Sequence, residues 1–253
     1  MTFDVPPTAY RNFMGRFSEP LAVEFVEVAG LEPGQTVLDV GCGPGALTEV
    51  LVERLGAEWV AAADPSEPFV EHVRSHLSGV DVRLAAAEDL PFPDATFDAA
   101  LAQLVVHFMA DPVAGLREMG RVTRPGGVVA ACVWDHAGGG GPLSLFWSAV
   151  RDLDGEAEDE SGLAGVRQGH LGELARAADL TGVEESRLAV EVGYESFEEW
   201  WTPYTLGVGP AGVYVGGLDE QHRAALRERC AELLPAAPFS VSASAWCMRA
   251  RVA

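Results

Sequence analysis

The stretch VLDVGCGPGALTEVL, residues 37–51, restricts what this chain can fold into more than any other. A short apolar run ends in glycines 41, 43 and 45, and the residues after them set Leu47, Val50, Leu51 and Leu55 on one helical face. Strand, bare turn and helix in that order open a βαβ unit. Glycines at such a turn let a ligand lie against the backbone, because no Cβ intrudes. GCGPGA also satisfies the GxGxxA pattern of dinucleotide-binding turns, and a lone match of that length does not select a ligand. Two residues separate the options. Asp39 stands inside the strand, where a dinucleotide-binding turn has an apolar side chain, and a carboxylate there suits a ligand carrying an ammonium or another positive centre. Pro44 stiffens the loop.

The first half of the chain keeps alternating. Periodicity predicts strands over 36–40, 58–63, 80–85, 96–101 and 128–134, and helices over 46–55, 67–77 and 113–122. A hydrophobic helix at about 19–29 precedes them, and the turn Arg124-Pro125-Gly126-Gly127 announces the fifth strand. That alternation means βαβ units and a parallel sheet covered on both faces. The second half changes character. Residues 136–142 hold four consecutive glycines and read as a flexible connector. Residues 152–160 carry six acids in nine positions and read as a solvated loop. Helices are predicted over 169–180 and 221–234, and strands over 183–192 and 239–252. No internal repeat is present.

Charge excludes some partners. With 17 Lys plus Arg against 38 Asp plus Glu the net charge is −21, a surface that repels nucleic-acid phosphates and anionic membranes. Cys42, Cys132, Cys230 and Cys247 lie far apart with no CxxC pair, which points to a reducing, cytoplasmic compartment and to no structural metal site. The first residues, MTFDVPPTAYRNF, lack the basic-then-apolar order of a secretory signal. The longest uncharged run, 200–218, contains Pro203, Pro210 and five glycines, a poor membrane helix.

Taken together, VLDVGCGPG, Asp64 after an apolar strand, AEDLPFPDATFDAALAQLVVHF and TRPGG resemble a class I S-adenosylmethionine-dependent methyltransferase of the bacterial small-molecule type. The matching motifs span about Tyr10 to Trp134, with AYRNFMGRFS ahead of them and WWTPYTLGVGPAGVYV behind. The resemblance implies a Rossmann-like α/β fold: a seven-stranded, mostly parallel sheet with helices on both faces, the last strand antiparallel, plus a small lid. It is expected as a single domain over 1–253. A helical segment at 1–30 would lie over the cofactor site, a cofactor-binding core would span 31–135, connector and helices 136–182, and an aromatic lid 194–217.

It further implies S-adenosylmethionine as cofactor, its methionine part on Gly41, Cys42, Gly43 and Gly45 with the carboxylate near the helix N-terminus. Asp39 would face the amino group, and Asp64 would accept the ribose hydroxyls or cap the following helix. Pro65 and Ser66 would border the adenosine, and Ala87, Glu88 and Asp89 the adenine. The family often has an acid where this chain has Ala86, so Glu88 or Asp89 would replace it. Gln103 would contact methionine and ribose. Arg16 would pair with the cofactor carboxylate or stand as a surface cation.

Methyl transfer from a sulfonium is an in-line displacement that depends on alignment and on excluding water. A strongly acidic pocket would stabilise the sulfonium ground state, so the acceptor side should be aromatic and apolar. His107, just past the fourth strand, is the candidate base, or else positions substrate or caps the Asp111-Pro112 turn. His136 on the glycine-rich connector is a weaker candidate; His72, His76 and His222 read as surface residues, and His170 as the start of a helix. Tyr10, Met14, Trp134, Trp200, Trp201, Tyr204 and Tyr214 are the candidate acceptor contacts, with Trp147 as a further wall. The alternative is that the tryptophans pack a small cap onto the core.

The implied function is methyl transfer to a small-molecule acceptor, at oxygen before nitrogen before carbon, by a monomer or homodimer. Two other readings stay open: a non-catalytic S-adenosylmethionine-binding protein, and a nicotinamide-dependent oxidoreductase, which Asp39 and LPFPDATFD disfavour. Net charge disfavours a macromolecular substrate.

Overall fold

The computed structural model describes residues 11–253. Strands β1 (Val37–Val40), β2 (Val60–Asp64), β3 (Asp81–Leu84), β4 (Phe97–Gln103), β5 (Thr123–Trp134), β6 (Thr181–Tyr194) and β7 (Phe239–Arg251) form one sheet in the order β3-β2-β1-β4-β5-β7-β6. Neighbours from β3 to β5 run parallel, and β7 is antiparallel to both β5 and β6. The chain builds outward from β1 in both directions, so the topological switch lies between β1 and β4. In such sheets the crevice at the strand carboxyl ends is where ligands bind.

The helices among the described residues are α1 (Arg16–Ala29), α2 (Ala46–Leu55), α3 (Glu67–His76), α4 (Pro112–Val122), α5 (Ser144–Leu153), α6 (His170–Ala177), α7 (Phe197–Trp201), α8 (Gly209–Gly217) and α9 (Glu220–Leu233). Period-two alternation divides the core between the two faces of the sheet. Ala99, Leu101, Ala130, Cys132 and Trp134 pack with Leu21 and Phe25 of α1, Leu51 of α2 and Phe146 of α5. Leu38, Val40, Ala100, Val129 and Val133 pack with Leu116 and Met119 of α4 and Leu171 of α6. β1 and β2 are buried on both faces, which is why they read as continuous apolar runs.

Three expectations are corrected. The first helix begins at Arg16, with a turn of π-helix over Arg11–Gly15 before it, and Pro20 lies inside it. After the glycine connector, within the stretch expected to hold helices, comes α5, whose Phe146, Trp147, Ala149 and Val150 are buried. The acidic stretch 152–160 is not solvated throughout: it starts inside α5 and ends at Glu160, which is buried. The segment between β6 and β7 is α7, a 3-10 turn over Thr202–Leu206, α8 and α9, a helical cap. No helix among the described residues is long and apolar enough to cross a membrane.

Candidate active site

A cleft of about 260 Å³ opens at the carboxyl ends of β1, β2 and β4. The glycine loop forms its floor. Gly41, Gly43 and Gly45 have φ of +71°, +54° and +102°, a region L side chains rarely adopt. A Cβ on Gly41 would meet Val105 at 2.5 Å, whereas one on Gly43 would find nothing within 4 Å. The first glycine is therefore required by packing, and the second leaves bare backbone toward open space. The loop is tied to β2 by Gly41 N–H donating to the Ala63 carbonyl at 2.7 Å.

Asp64, the last residue of β2, closes the loop from the other side. Its Oδ2 accepts from Gly43 N–H and its Oδ1 from Ser66 N–H, both at 2.8 Å. The second bond is an Asx-type turn; the N-cap of α3 is Ser66. Each carboxylate oxygen keeps a lone pair for a further donor. Burial raises the Asp64 carboxyl, against these two N–H groups, which lower it.

Asp39 is buried within β1. Its Oδ2 accepts from the Thr48 hydroxyl at 2.6 Å, and its Oδ1 has no partner. Burial pushes its carboxyl up to about 7, aided by the charge of Asp64 and opposed by Thr48. Gln103 donates to the Ser18 carbonyl at 2.9 Å, which leaves Gln103 Oε1 and the Ser18 hydroxyl buried and unpartnered. Asp39, Gln103 and Ser18, the residues that carry these three oxygens, all line the one cleft. Buried polar atoms without partners are rare in folded proteins. Three of them around a bare loop suit the ammonium and carboxylate ends of an amino acid, while the fork of Asp64 suits a diol.

The cleft is walled opposite the loop by Ala86, Ala87 and Glu88 after β3 and by Leu104, Val105 and Phe108 after β4. Glu88 Oε1 accepts from Ala110 N–H at 2.7 Å and Asp111 N–H at 3.2 Å, so it fixes the loop that forms that wall. Leu104 has φ +61°, uncommon outside glycine. It and Phe108 also line a second cavity of about 40 Å³, with Phe13, Met14, His107, Trp134, His136, Leu143, Glu160 and residues 208–211. A strained residue at the wall between two cavities is where backbone strain accompanies function.

This second chamber is apolar except for three titratable groups. The His107 ring lies 3.8 Å from the Phe108 ring and 6.0 Å from His136, and its Nδ1 is buried without a partner. Burial, with a smaller contribution from His136, pushes His107 down to about 3. Burial pushes His136 down to about 4, against Asp159 and Asp135. Glu160 accepts from the Trp147 indole N–H at 2.7 Å, and burial raises its carboxyl to about 7. Sequence reading passed over Glu160 because it closes an acidic run; only the apolar pattern of α5 before it could have flagged a fold-back.

Most of the residues selected from sequence come together here. Asp39, Gly41, Cys42, Gly43, Asp64, Pro65, Ser66, Ala87, Glu88 and Gln103 line the cleft, and Met14, His107 and Trp134 line the chamber. Others stand elsewhere. Arg16 donates to Glu199 at 2.6 Å and to the Gly193 carbonyl at 3.2 Å and lies over the Tyr194 ring, so its charge is engaged outside the cleft. Gly45 packs toward Val73, and Asp89 is exposed to solvent away from the cleft wall. Trp200, Trp201 and Tyr204 are buried and line neither cavity; Tyr204 stacks on Phe146 and meets Phe13 edge-on. Tyr214 donates to Asp154 at 3.3 Å. The aromatic segment is thus a packed cap that contributes residues 208–211, at the start of α8, to the chamber. Tyr10 lies outside the described residues.

Known proteins are similar to this chain in part of its sequence and in its fold. Residues 38–131 match the family model described as a methyltransferase domain. Over 124 residues the chain is 35% identical to malonyl-[acyl-carrier protein] O-methyltransferase of Erwinia pyrifoliae, covering 44% of this chain and 47% of that protein. The chain spans about half the length of the curated relatives it matches. Among solved structures, a putative methyltransferase from Bacillus halodurans superposes with TM-score 0.58 at 16% identity, covering 91% of this chain and 97% of its own. Haemonchus contortus phospholethanolamine N-methyltransferase 2, solved with S-adenosylhomocysteine, also gives TM-score 0.58 at 16% identity, covering 97% of this chain and 56% of its own. At these identities the structural likeness shows a shared fold.

Proposed function

Because the chain carries a class I S-adenosylmethionine-dependent methyltransferase domain, we propose that it transfers a methyl group to the oxygen of a small organic acceptor. The observation that carries this reading is the pairing of two cavities across Leu104 and Phe108, one holding Asp39, Asp64 and Gln103 at the glycine loop and one mostly apolar. Bound S-adenosylmethionine supplies an electrophilic methyl carbon on a positively charged sulfur. Asp39, Gln103 and Ser18 would hold the amino-acid end and Asp64 the ribose, with the bare Gly43 backbone against the ligand. Glu88 acts indirectly, by holding the 110–111 turn in place.

On the acceptor side, Met14, Trp134 and Phe13 would exclude water and align the nucleophile. His107 is better suited to positioning than to proton removal. An imidazole with a pKa about 3 is a weak base, but its unpartnered Nδ1 can hold a hydroxyl. The acidic surface and separated thiols suit a cytoplasmic enzyme, monomer or homodimer, acting on a small molecule and on neither nucleic acid nor membrane.

Calorimetry with S-adenosylhomocysteine tests the reading. Binding to the wild-type chain, weakened about 100-fold in Asp64→Ala and independent of His107→Gln, is the expected result. Heat with a pyridine dinucleotide and none with S-adenosylhomocysteine would overturn it.

A further inference from the structure

A third cavity, of about 400 Å³, lies between the start of α5, the 159–161 turn and the start of β7. It shares His136 and Glu160 with the chamber, as the chamber shares Leu104 and Phe108 with the cleft. The sizes divide the labour. At about 40 Å³ the chamber has room for a functional group, given that one water needs roughly 10–15 Å³. Only the outer trough can hold the body of a molecule. We infer that the acceptor is a neutral, hydroxyl-bearing molecule that lies in this trough and presents its hydroxyl to Glu160 at the mouth of the chamber. The inference rests on the methyl-transfer reading above.

Glu160 is placed for that role. The Trp147 indole holds one of its oxygens, and the turn that carries it is pinned to α5 by Arg151 donating to Asp159 at 2.7 Å. Asp159 also accepts from Ser161 N–H at 2.9 Å. Arg151 and Asp159 thus neutralise each other, and burial keeps His136 uncharged at neutral pH. Apart from Glu160 itself, the trough therefore offers no net charge, and nothing positive to hold a phosphate or carboxylate. It offers Ser144, Ser148, Ser161, Ser240 and Ser242. Serine hydroxyls both donate and accept, which matches a neutral body bearing hydroxyls of its own. At the inner end, the acceptor's reacting hydroxyl can donate to Glu160 and accept from the imidazole of His107, whose buried Nδ1 lacks a partner. The hydroxyl proton can pass to the Glu160 carboxylate as the oxygen bonds the methyl carbon and sulfur keeps the electron pair of the broken carbon–sulfur bond.

The charged and titratable groups facing Glu160 are Asp159 beside it, His107 and His136 across the chamber, Arg151 from α5 and Tyr204 from the cap. Burial pushes Glu160 itself up to about 7, so its readiness to accept a hydroxyl's hydrogen bond rises through neutral pH.

The test uses the full chain loaded with S-adenosylhomocysteine and reads binding by saturation-transfer NMR. Methyl glucoside and inositol are the neutral probes; glucosamine and gluconate are the cationic and anionic counterparts. A neutral probe should bind best and more tightly at pH 8 than at pH 6, and Glu160→Gln should remove that pH dependence. Ser242→Trp, with Ser161→Trp as a second variant, should weaken the probe by at least about tenfold, the equivalent of one well-made hydrogen bond, with S-adenosylhomocysteine affinity unchanged. The proposal is overturned if a charged probe binds better, if no neutral probe binds, or if both trough variants leave binding intact. Failure of S-adenosylhomocysteine itself to bind the wild-type chain would instead remove the methyl-transfer reading, and this inference with it.

Discussion

Asp39 in the cleft and Glu160 in the chamber are both buried carboxyls pushed up to about 7, yet their surroundings come from opposite kinds of chain organisation. Asp39 lies two residues before Gly41 and nine before its partner Thr48. The cleft floor is one strand–turn–helix unit, completed by the tips of β2, β3 and β4. The chamber around Glu160 draws on Phe13, Leu104, Trp134, Leu143 and Pro210, segments spread over nearly the whole chain. A cofactor common to many enzymes can be held by a compact local motif. An acceptor site assembled from distant segments can change wall by wall without disturbing that motif.

Several substitutions probe how separate the two regions are. The largest effect should come from Trp200→Ala. Trp200 is buried in the cap beside Tyr204, so truncation should destabilise the protein by ~3–5 kcal/mol in chemical denaturation. S-adenosylhomocysteine affinity under native conditions should stay within about twofold, a shift of well under 1 kcal/mol. A large affinity loss would join the cap to the cleft and break the comparison.

Asp64→Ala comes next. It removes the fork from the cleft and orphans the Gly43 and Ser66 N–H groups, so affinity should fall about 100-fold, or roughly 3 kcal/mol. Calorimetry reads this directly.

The two glycines sharpen the contrast within the loop. Gly41→Ala combines positive φ with a 2.5 Å approach to Val105 and should lower stability by roughly 2–3 kcal/mol. Gly43→Ala has the positive φ without the clash and should lower stability by only about 1–2 kcal/mol, while weakening S-adenosylhomocysteine binding. Equal melting losses in the two variants would contradict the assignment of Gly43 to the ligand.

The effect smallest at any one pH step is a pH dependence, which accumulates over several units. Asp39 keeps its proton in the fold up to about 7, whereas the unfolded chain releases it near the ordinary carboxyl value of 3.8. The folded state therefore holds the extra proton between these values, and stability contributed by this group falls as pH rises from about 4 to about 7. A ligand ammonium pairs with the ionised form, so S-adenosylhomocysteine affinity should rise by up to about tenfold per pH unit below 7 and then level off. Asp39→Asn should flatten that profile. A flat wild-type profile would place the ammonium away from Asp39.

Much of the cleft was legible in sequence because its parts are local. The alternation of the first half, the glycines and Asp64 fix strand, turn, helix and strand tip within a few dozen residues. The residues whose surroundings the sequence did not reveal share one physical cause. Arg16 is a cation near the cleft in sequence terms, but Glu199, 183 positions away, takes its charge. Glu160 reads as one more acid in a solvated run until α5 folds back and sets the Trp147 indole against it. The tryptophans of the cap look like a substrate wall because aromatics serve both uses; in the fold Trp200 and Trp201 are buried against Phe197 and Tyr204.

The sequence by itself determined the parallel half of the sheet, the bare loop and the acids that border it, because period, steric freedom at glycine and short spacing act over short stretches of chain. Tertiary structure alone decided which charges are neutralised, which carboxyls are desolvated and where the second and third cavities lie. Those properties depend on distance and solvent access between residues that are remote along the chain, and no local pattern encodes them.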